Sequence, residues 1–297
     1  MDHPRILLQF DSDKHPSVFD SVVAIDSHID HLLQYSNVDP TQVQQMVHGA
    51  MFTRGPAQLH NTAIFVGGSD VGTGEAIAQQ IRDTFFGPIR VSVMLDGNGS
   101  NTTAAAAVLC AARHVDLSQA HAVVLGGTGP VGLRIARLLL GQGTQVHLAS
   151  RQLERASRAC DDLLSKLERP PETPRLLPLA TVDQSAFEKA LQNATAVFSC
   201  GAAGVELLNA DQLLQAAKLQ IAIDLNAVPP AGIAGIAATD KAITRGNRVD
   251  YGAIGVGGLK MKIHRQAIAT LFTRNDLFLD AEQIFEIGQS LENASKV

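Results

Sequence analysis

The sequence predicts a two-domain α/β protein, and three observations predict it. Short apolar runs of strand length alternate with stretches of helical periodicity along the chain. A polar patch, Asp116 to Gln119, divides them into two series. The 297 residues suffice for two hydrophobic cores at roughly 100–200 residues per domain.

In the first series, apolar runs predict strands at 6–10, 32–35, 62–66 and 89–95. Helical periodicity predicts helices between and after them at 17–25, 41–51, 74–86 and 101–115. The last has strong start signals, because Ser100, Asn101 and Thr102 can accept from free backbone N–H groups and four alanines then propagate the helix cheaply. The second series predicts strands at 121–126, 145–150, 176–179, 196–200 and 221–225, with 169–174 as the most loop-like connection. A helix is expected to start near Gly258, and another to cover 280–293. These C-terminal helices are expected to pack back on the first domain. The expected boundaries are therefore 1–118 plus 259–297 for one domain and 119–258 for the other.

With 45% hydrophobic residues, 18% charged residues and a net charge of -5, the composition is that of an ordinary globular protein and gives no reason to expect a nucleic-acid partner. The N-terminus has no basic region leading into an apolar stretch, and charges interrupt the chain too often for a membrane span, so a cytoplasmic location is expected. Cys110, Cys160 and Cys200 are far apart and odd in number, which reads as reduced core thiols. His28 and His31 lack a third ligand nearby, so no metal is expected.

In HAVVLGGTGPVG, Gly127, Gly129 and Gly132 satisfy G-x-G-x-x-G directly after a strand and before a helix. Gly127 is expected to make the tight turn, Gly129 to let the backbone approach a pyrophosphate, and Gly132 to let helix and strand pack closely. Pro130 fits the first helical turn, whose free N–H groups attract anions. With Thr128 and Val131 between them, these residues predict a Rossmann-type dinucleotide-binding domain. About 20 residues further on, a carboxylate would take the ribose 2′-OH of NAD. Here the strand ends in Ser150 and Arg151, a hydroxyl and a guanidinium that suit the 2′-phosphate of NADP, and Arg155 adds to the field. NADP is therefore the expected cofactor. Cys200, Gly201, Ala202 and Asn226 follow later strands and are expected to meet the ribose or nicotinamide, since ligands lie beyond the carboxyl ends of open α/β sheets.

In MLDGNGSNTTAAAA, Asp96, Asn98, Ser100, Asn101, Thr102 and Thr103 exceed what one helix cap requires, and a polar rim for a substrate is expected there. In GVGGLKMKIHR, a helix starting near Gly258 would put Lys260 and Lys262 in its first turns, where the helix dipole opposes cations. A local rule broken in this way marks a candidate functional residue. Lys260 and His264, four residues apart, share a helix face.

Together these segments resemble the NADP-dependent methylene-tetrahydromethanopterin dehydrogenases of one-carbon metabolism, some of which also accept methylene-tetrahydrofolate. The resemblance covers nearly the whole chain and rests on LLQFDSDKHPSVFDSVVAID, TAIFVGG, FFGPIRVSVMLDGNGSNTTAAA, VVLGGTGPVG, DLNAVPPAGIAGIAATD and GAIGVGGLKMKIHR. It implies hydride transfer from the methylene carbon of a reduced pterin to NADP+, and a homo-oligomer. Two nitrogens flank that carbon and stabilise the cation left behind, so neither a protein base nor a metal is required. On this chemistry Asp96 or Asp20 would pair with the pterin amino edge and supply negative potential near the cation. Asn98, Ser100, Asn101, Thr102, Thr103 and His264 would orient the ring. Lys260 would meet a substrate carbonyl or a distal acidic group, or else act as the neutral amine. A folate-type dehydrogenase and cyclohydrolase would carry Tyr-x-x-x-Lys, but the residue four after Tyr35 is Asp39. A shikimate-type enzyme would carry a lysine motif where alanines follow Thr103. A non-catalytic NADP-binding sensor would have no use for the rim after Leu95.

Overall fold

The computed structural model describes residues 3–167 and 175–294, so the loop expected at 169–174 lies outside the described residues. Two compact units divide the chain, Met1–Thr102 with Lys260–Val297, and Thr103–Leu259.

The first unit opens with β1 (Ile6–Asp11), α1 (Val18–Ile25), β2 (His31–Tyr35), α2 (Pro40–Phe52), β3 (Thr62–Gly67), α3 (Val71–Thr84) and β4 (Ser92–Leu95). Short polar side chains start its helices: the Ser17 hydroxyl accepts from the Asp20 N–H, Asp39 from Thr41 ahead of α2, and Asp70 from Thr73. On one sheet face, Leu8, Phe10, Ile64, Val66, Val93 and Leu95 form a core with Val43, Val47, Ile77 and Ile81 of the two covering helices. The alternate positions Gln9, Asp11 and Phe65 point to the other face.

α4 (Ser100–Ala112) carries the chain into the second unit. There follow β5 (His121–Leu125), α5 (Pro130–Gly141), β6 (Gln145–Ser150), α6 (Leu153–Ser165), β7 (Leu176–Ala180), α7 (Gln184–Asn193), β8 (Ala196–Ser199), α8 (Ala210–Gln215), β9 (Ile221–Asp224), β10 (Ile243–Arg245) and β11 (Arg248–Tyr251). The sheet runs β10-β11-β9-β8-β5-β6-β7, parallel except where β10 meets β11. Val123, Leu125, Ala149, Val197 and Ala222 pack against Phe187, Ala190 and Leu191 of α7. α9 (Ala253–Thr270) returns to the first unit, which ends with β12 (Phe278–Leu279) and α10 (Ala281–Ala294). The first sheet is then β2-β1-β3-β4-β12, parallel throughout. No helix among the described residues is long and apolar enough to cross a membrane.

Two expected elements are corrected. The strand expected at 89–95 is only Ser92–Leu95, because Phe86 and Ile89 bond to each other across Gly87 and Pro88 in a tight turn. The helix expected near Gly258 begins at Ala253. Glycine at 255 lets the 237–241 loop lie against that first turn: a Cβ there would stand 1.8 Å from the Asp240 carbonyl oxygen. Lys260 and Lys262 therefore sit in the body of α9, and the conflict with the helix dipole does not arise. Gly255→Val should cost about 2–3 kcal/mol through overpacking, read as a lower denaturant midpoint with an unchanged slope.

Candidate functional site

In the first unit the strand order reverses between β1 and β3, so their connections leave for opposite faces and expose the carboxyl ends of the strands. A cavity of about 290 Å³ lies there. Asp13, Ser17, Phe19 and Asp20 line it from the chain after β1, Gly68 and Ser69 from the chain after β3, Asn98 and Gly99 from the chain after β4, and Lys260 from α9. The loops are tied to one another. The N–H and hydroxyl of Ser69 both donate to the Asp13 carboxylate, at 2.9 and 2.7 Å, and the Asn98 N–H donates to the Gly68 carbonyl at 2.7 Å.

Asp20 is buried, and its carboxyl is pushed up to about 6, first by loss of water and then by the neighbouring charge of Asp96. A Ser17 hydrogen bond and the Lys260 charge oppose that shift only in part. The Lys260 ammonium lies 5.4 Å from the centre of the Phe19 ring, which is 49% exposed. It also lies against Gly99, where a Cβ would come within 2.5 Å of Nζ. An aromatic face, a cation and a poised carboxyl thus share one small opening.

His264 does not line that opening. Its ring is fully buried, stacks on Phe65 at 5.6 Å, and makes no hydrogen bond at either nitrogen among the described residues. Burial drops it to about 4, so it is neutral and serves as a flat packing group.

The polar rim expected after Leu95 is divided by the fold. Asp96, Ser100, Asn101 and Thr102 are completely buried. The Asp96 carboxylate accepts from the Asn101 and Thr102 N–H groups at 2.8 and 3.1 Å and from the Thr102 hydroxyl at 2.6 Å, which caps α4. Ser100 donates to the Gly97 carbonyl, and Asn101 donates to the Leu95 carbonyl and to Asp280. These four hold the loop in shape and do not reach the cavity. Thr103 falls in the second unit. Asn98, exposed and at φ 52°, is the member that faces the cavity. The sequence does not single out Phe19, Asp13, Ser17 or Ser69 as site residues; Asp13 and Ser69 carry only the signal of a place just past a strand end, and Phe19 and Ser17 a place at the start of α1.

In the second unit the strand order reverses between β5 and β8. Gly126, at φ 65°, makes the turn after β5, and a Cβ on it would stand 2.6 Å from the Gly201 Cα after β8. The turn expected at Gly127 is therefore made one residue earlier. Gly127 gives room to Leu148 instead, and a Cβ on Gly132 would strike the Gly127 Cα at 2.6 Å, so α5 begins pressed against the loop. Gly129 precedes Pro130 and has no side-chain cap, and a Cβ there would meet only the Gly126 carbonyl oxygen at 3.5 Å. Val131 and Gly132, shortly after Thr128, fall in the first turn of α5, whose N–H groups have no partner within the helix. This cradle, which side chains would fill, fits a dinucleotide pyrophosphate.

Ser150 ends β6, and Arg151 and Arg155 are exposed without an ion-pair partner among the described residues, whereas Arg158 is paired with Glu154 at 3.6 Å. Ala202 is exposed beside Gly201, and burial raises the Cys200 thiol, which leaves it protonated. Asn226 is turned inward: its amide donates to the Pro230 carbonyl and accepts from the Val228 N–H, so its polar edge holds its own loop.

Residues 18–98 match the family model described as methylene-tetrahydromethanopterin dehydrogenase, N-terminal, and residues 122–236 match that of the NAD dependent epimerase/dehydratase family. The chain is 43% identical over 289 residues to the bifunctional protein MdtA of Methylorubrum extorquens, covering 97% of this chain and 99% of that protein. It is 32% identical to the NAD(P)-dependent methylenetetrahydromethanopterin dehydrogenase of the same organism, over 93% of this chain and 94% of that protein. Among solved structures, shikimate 5-dehydrogenase from Listeria monocytogenes in complex with shikimate and NAD shares the fold, with a TM-score of 0.51 at 13% identity over 98% of this chain and 97% of that one.

The raised Asp20 carboxyl makes a stability prediction. Because the folded-state value of about 6 exceeds the usual 3.8, the unfolded chain ionises first and stability falls as pH rises through that interval. Asp20→Asn should therefore stabilise the protein at pH 8 by at most about 3 kcal/mol, with the gain fading toward pH 4. Urea unfolding at both pH values reads it; an equal gain at both would contradict the cause given.

Proposed function

The chain belongs to the methylenetetrahydromethanopterin dehydrogenase family and is an oxidoreductase, and from that premise we propose that it moves a hydride from methylene-tetrahydromethanopterin to NADP+. The products are the methenyl cation and NADPH. Methylene-tetrahydrofolate, with the same one-carbon unit between two nitrogens, is a second substrate in this reading. The observation that carries it is the cavity at the β1–β3 reversal, where Phe19, Lys260 and Asp20 converge.

In this reading the pterin stacks on the exposed Phe19 face, and the Lys260 ammonium donates to a ring carbonyl. Asp20, ionised above about pH 6, accepts from the amino edge and places negative potential near the forming cation. Asn98 holds the outer edge of the ring. Asp96, Ser100, Asn101 and Thr102 act one step back, by fixing the loop that carries Asn98 and Gly99. Bound NADP+ supplies the hydride acceptor. The cradle from Gly126 to Gly132 holds its pyrophosphate, and Arg151 and Arg155 take the 2′-phosphate. Transfer needs the two reacting carbons roughly 3–3.5 Å apart, and positioning is the main service of the protein.

The direct test mixes purified protein, NADP+ and methylene-tetrahydromethanopterin and follows NADPH absorbance; silence with either pterin, despite NADP+ binding, would favour a non-catalytic sensor. Lys260→Met should lower kcat/KM for the pterin roughly ten- to a hundredfold, the worth of one charged hydrogen bond. Arg151→Ala should raise KM for NADP+ about tenfold or more and leave kcat/KM with NAD+ unchanged. An equal loss with both nucleotides would remove Arg151 from phosphate recognition.

A further inference from the structure

Beneath α7 the second unit holds a cavity of about 470 Å³ that neither proposed ligand uses. It lies toward the amino ends of the strands, away from Gly126. Its floor follows from register. His121 pairs with Gln145, and Val123 with His147, so both histidines point to one sheet face from adjacent strands. Leu177 and Leu179 extend that face, while Ala186, Lys189 and Ala190 of α7 form the opposite wall.

Neither imidazole makes a side-chain hydrogen bond among the described residues, although both line the cavity. Burial, and then the His121 charge, hold His147 below its ordinary value. Among the described residues, the titratable groups facing it are His121 from β5 and Lys189 from α7; β7 contributes Leu177, Pro178 and Leu179, and no described carboxylate lines the cavity. Lys189 is exposed and has no side-chain partner among the described residues, whereas Glu188 is bonded by Gln184 and Lys218 by Asn193. Two imidazoles without a third ligand do not make a metal site, and no metal-ligand cluster occurs among the described residues. Donors and cations gathered over an apolar wall suit an anion with an apolar body.

We propose that this cavity binds a small phosphate monoester, its head between His121 and His147 with Lys189 at the rim and its body against Leu177, Leu179 and Ala190. A bound dianion favours the imidazolium form, so binding draws in a proton and tightens as pH falls. The test is calorimetric titration of the full chain with phenyl phosphate. Binding should be about tenfold tighter at pH 6.5 than at pH 8. His147→Gln should weaken it at least tenfold and flatten the pH dependence, and the surface change Lys189→Ala should weaken it severalfold without touching the core. Arg151→Ala should leave it intact, which separates this site from the place proposed for the 2′-phosphate. Inorganic phosphate should bind more weakly and phenol not at all. Absence of binding, equal affinity for phenol or inorganic phosphate, or loss with Arg151→Ala but not with His147→Gln or Lys189→Ala would overturn the proposal.

Discussion

Where two neighbouring parallel strands send their crossovers to opposite faces of a sheet, no connection covers their carboxyl ends, and each unit of this chain contains one such place. The two reversals are furnished differently. Between β1 and β3 the gap is walled by side chains that carry charge, a hydroxyl and an aromatic ring, and it remains open. Between β5 and β8 the backbones themselves come together, with Gly126 against Gly201, and side chains are excluded from the turn. The first arrangement suits a small molecule recognised along its edges, the second a phosphate chain recognised by N–H groups.

The contrast between Asp96 and Asp20 shows how the fold allots roles to like residues. Asp96 is fully buried yet receives two N–H donors and a hydroxyl, so it is a satisfied anion that starts a helix. Asp20 is raised to about 6, first by loss of water with weaker compensation and then by the field of Asp96. A structural anion thus tunes an available one. The buried, neutral His264 adds no compensating charge to the group.

Much of the fold was legible because strands and helices are set by short periods. The runs at 6–10, 62–66 and 145–150 and the helix at 17–25 needed only neighbouring residues to declare themselves, and so did the presence of a glycine turn after β5, though Gly126 and not Gly127 makes it. GVGG misled because glycines read locally as a helix break, whereas Gly255 is there to admit the Asp240 carbonyl from a distant loop. Asn101 and Asn226 misled for the same reason: a polar residue past a strand end looks available until its partners are known, and those are Leu95 and Asp280 for one, Val228 and Pro230 for the other.

The sequence by itself determined the two α/β series, the glycine-rich stretch after β5 and the arginine pair after β6, since each is written in residues within a few positions of one another. Only the tertiary structure decided the strand orders, and with them which loop ends meet, which carboxylate stays poised and which polar side chains are consumed inside. Those outcomes depend on contacts between residues far apart in the chain, such as Lys260 beside Gly99 and Ser69 on Asp13, and on the loss of water that such contacts impose.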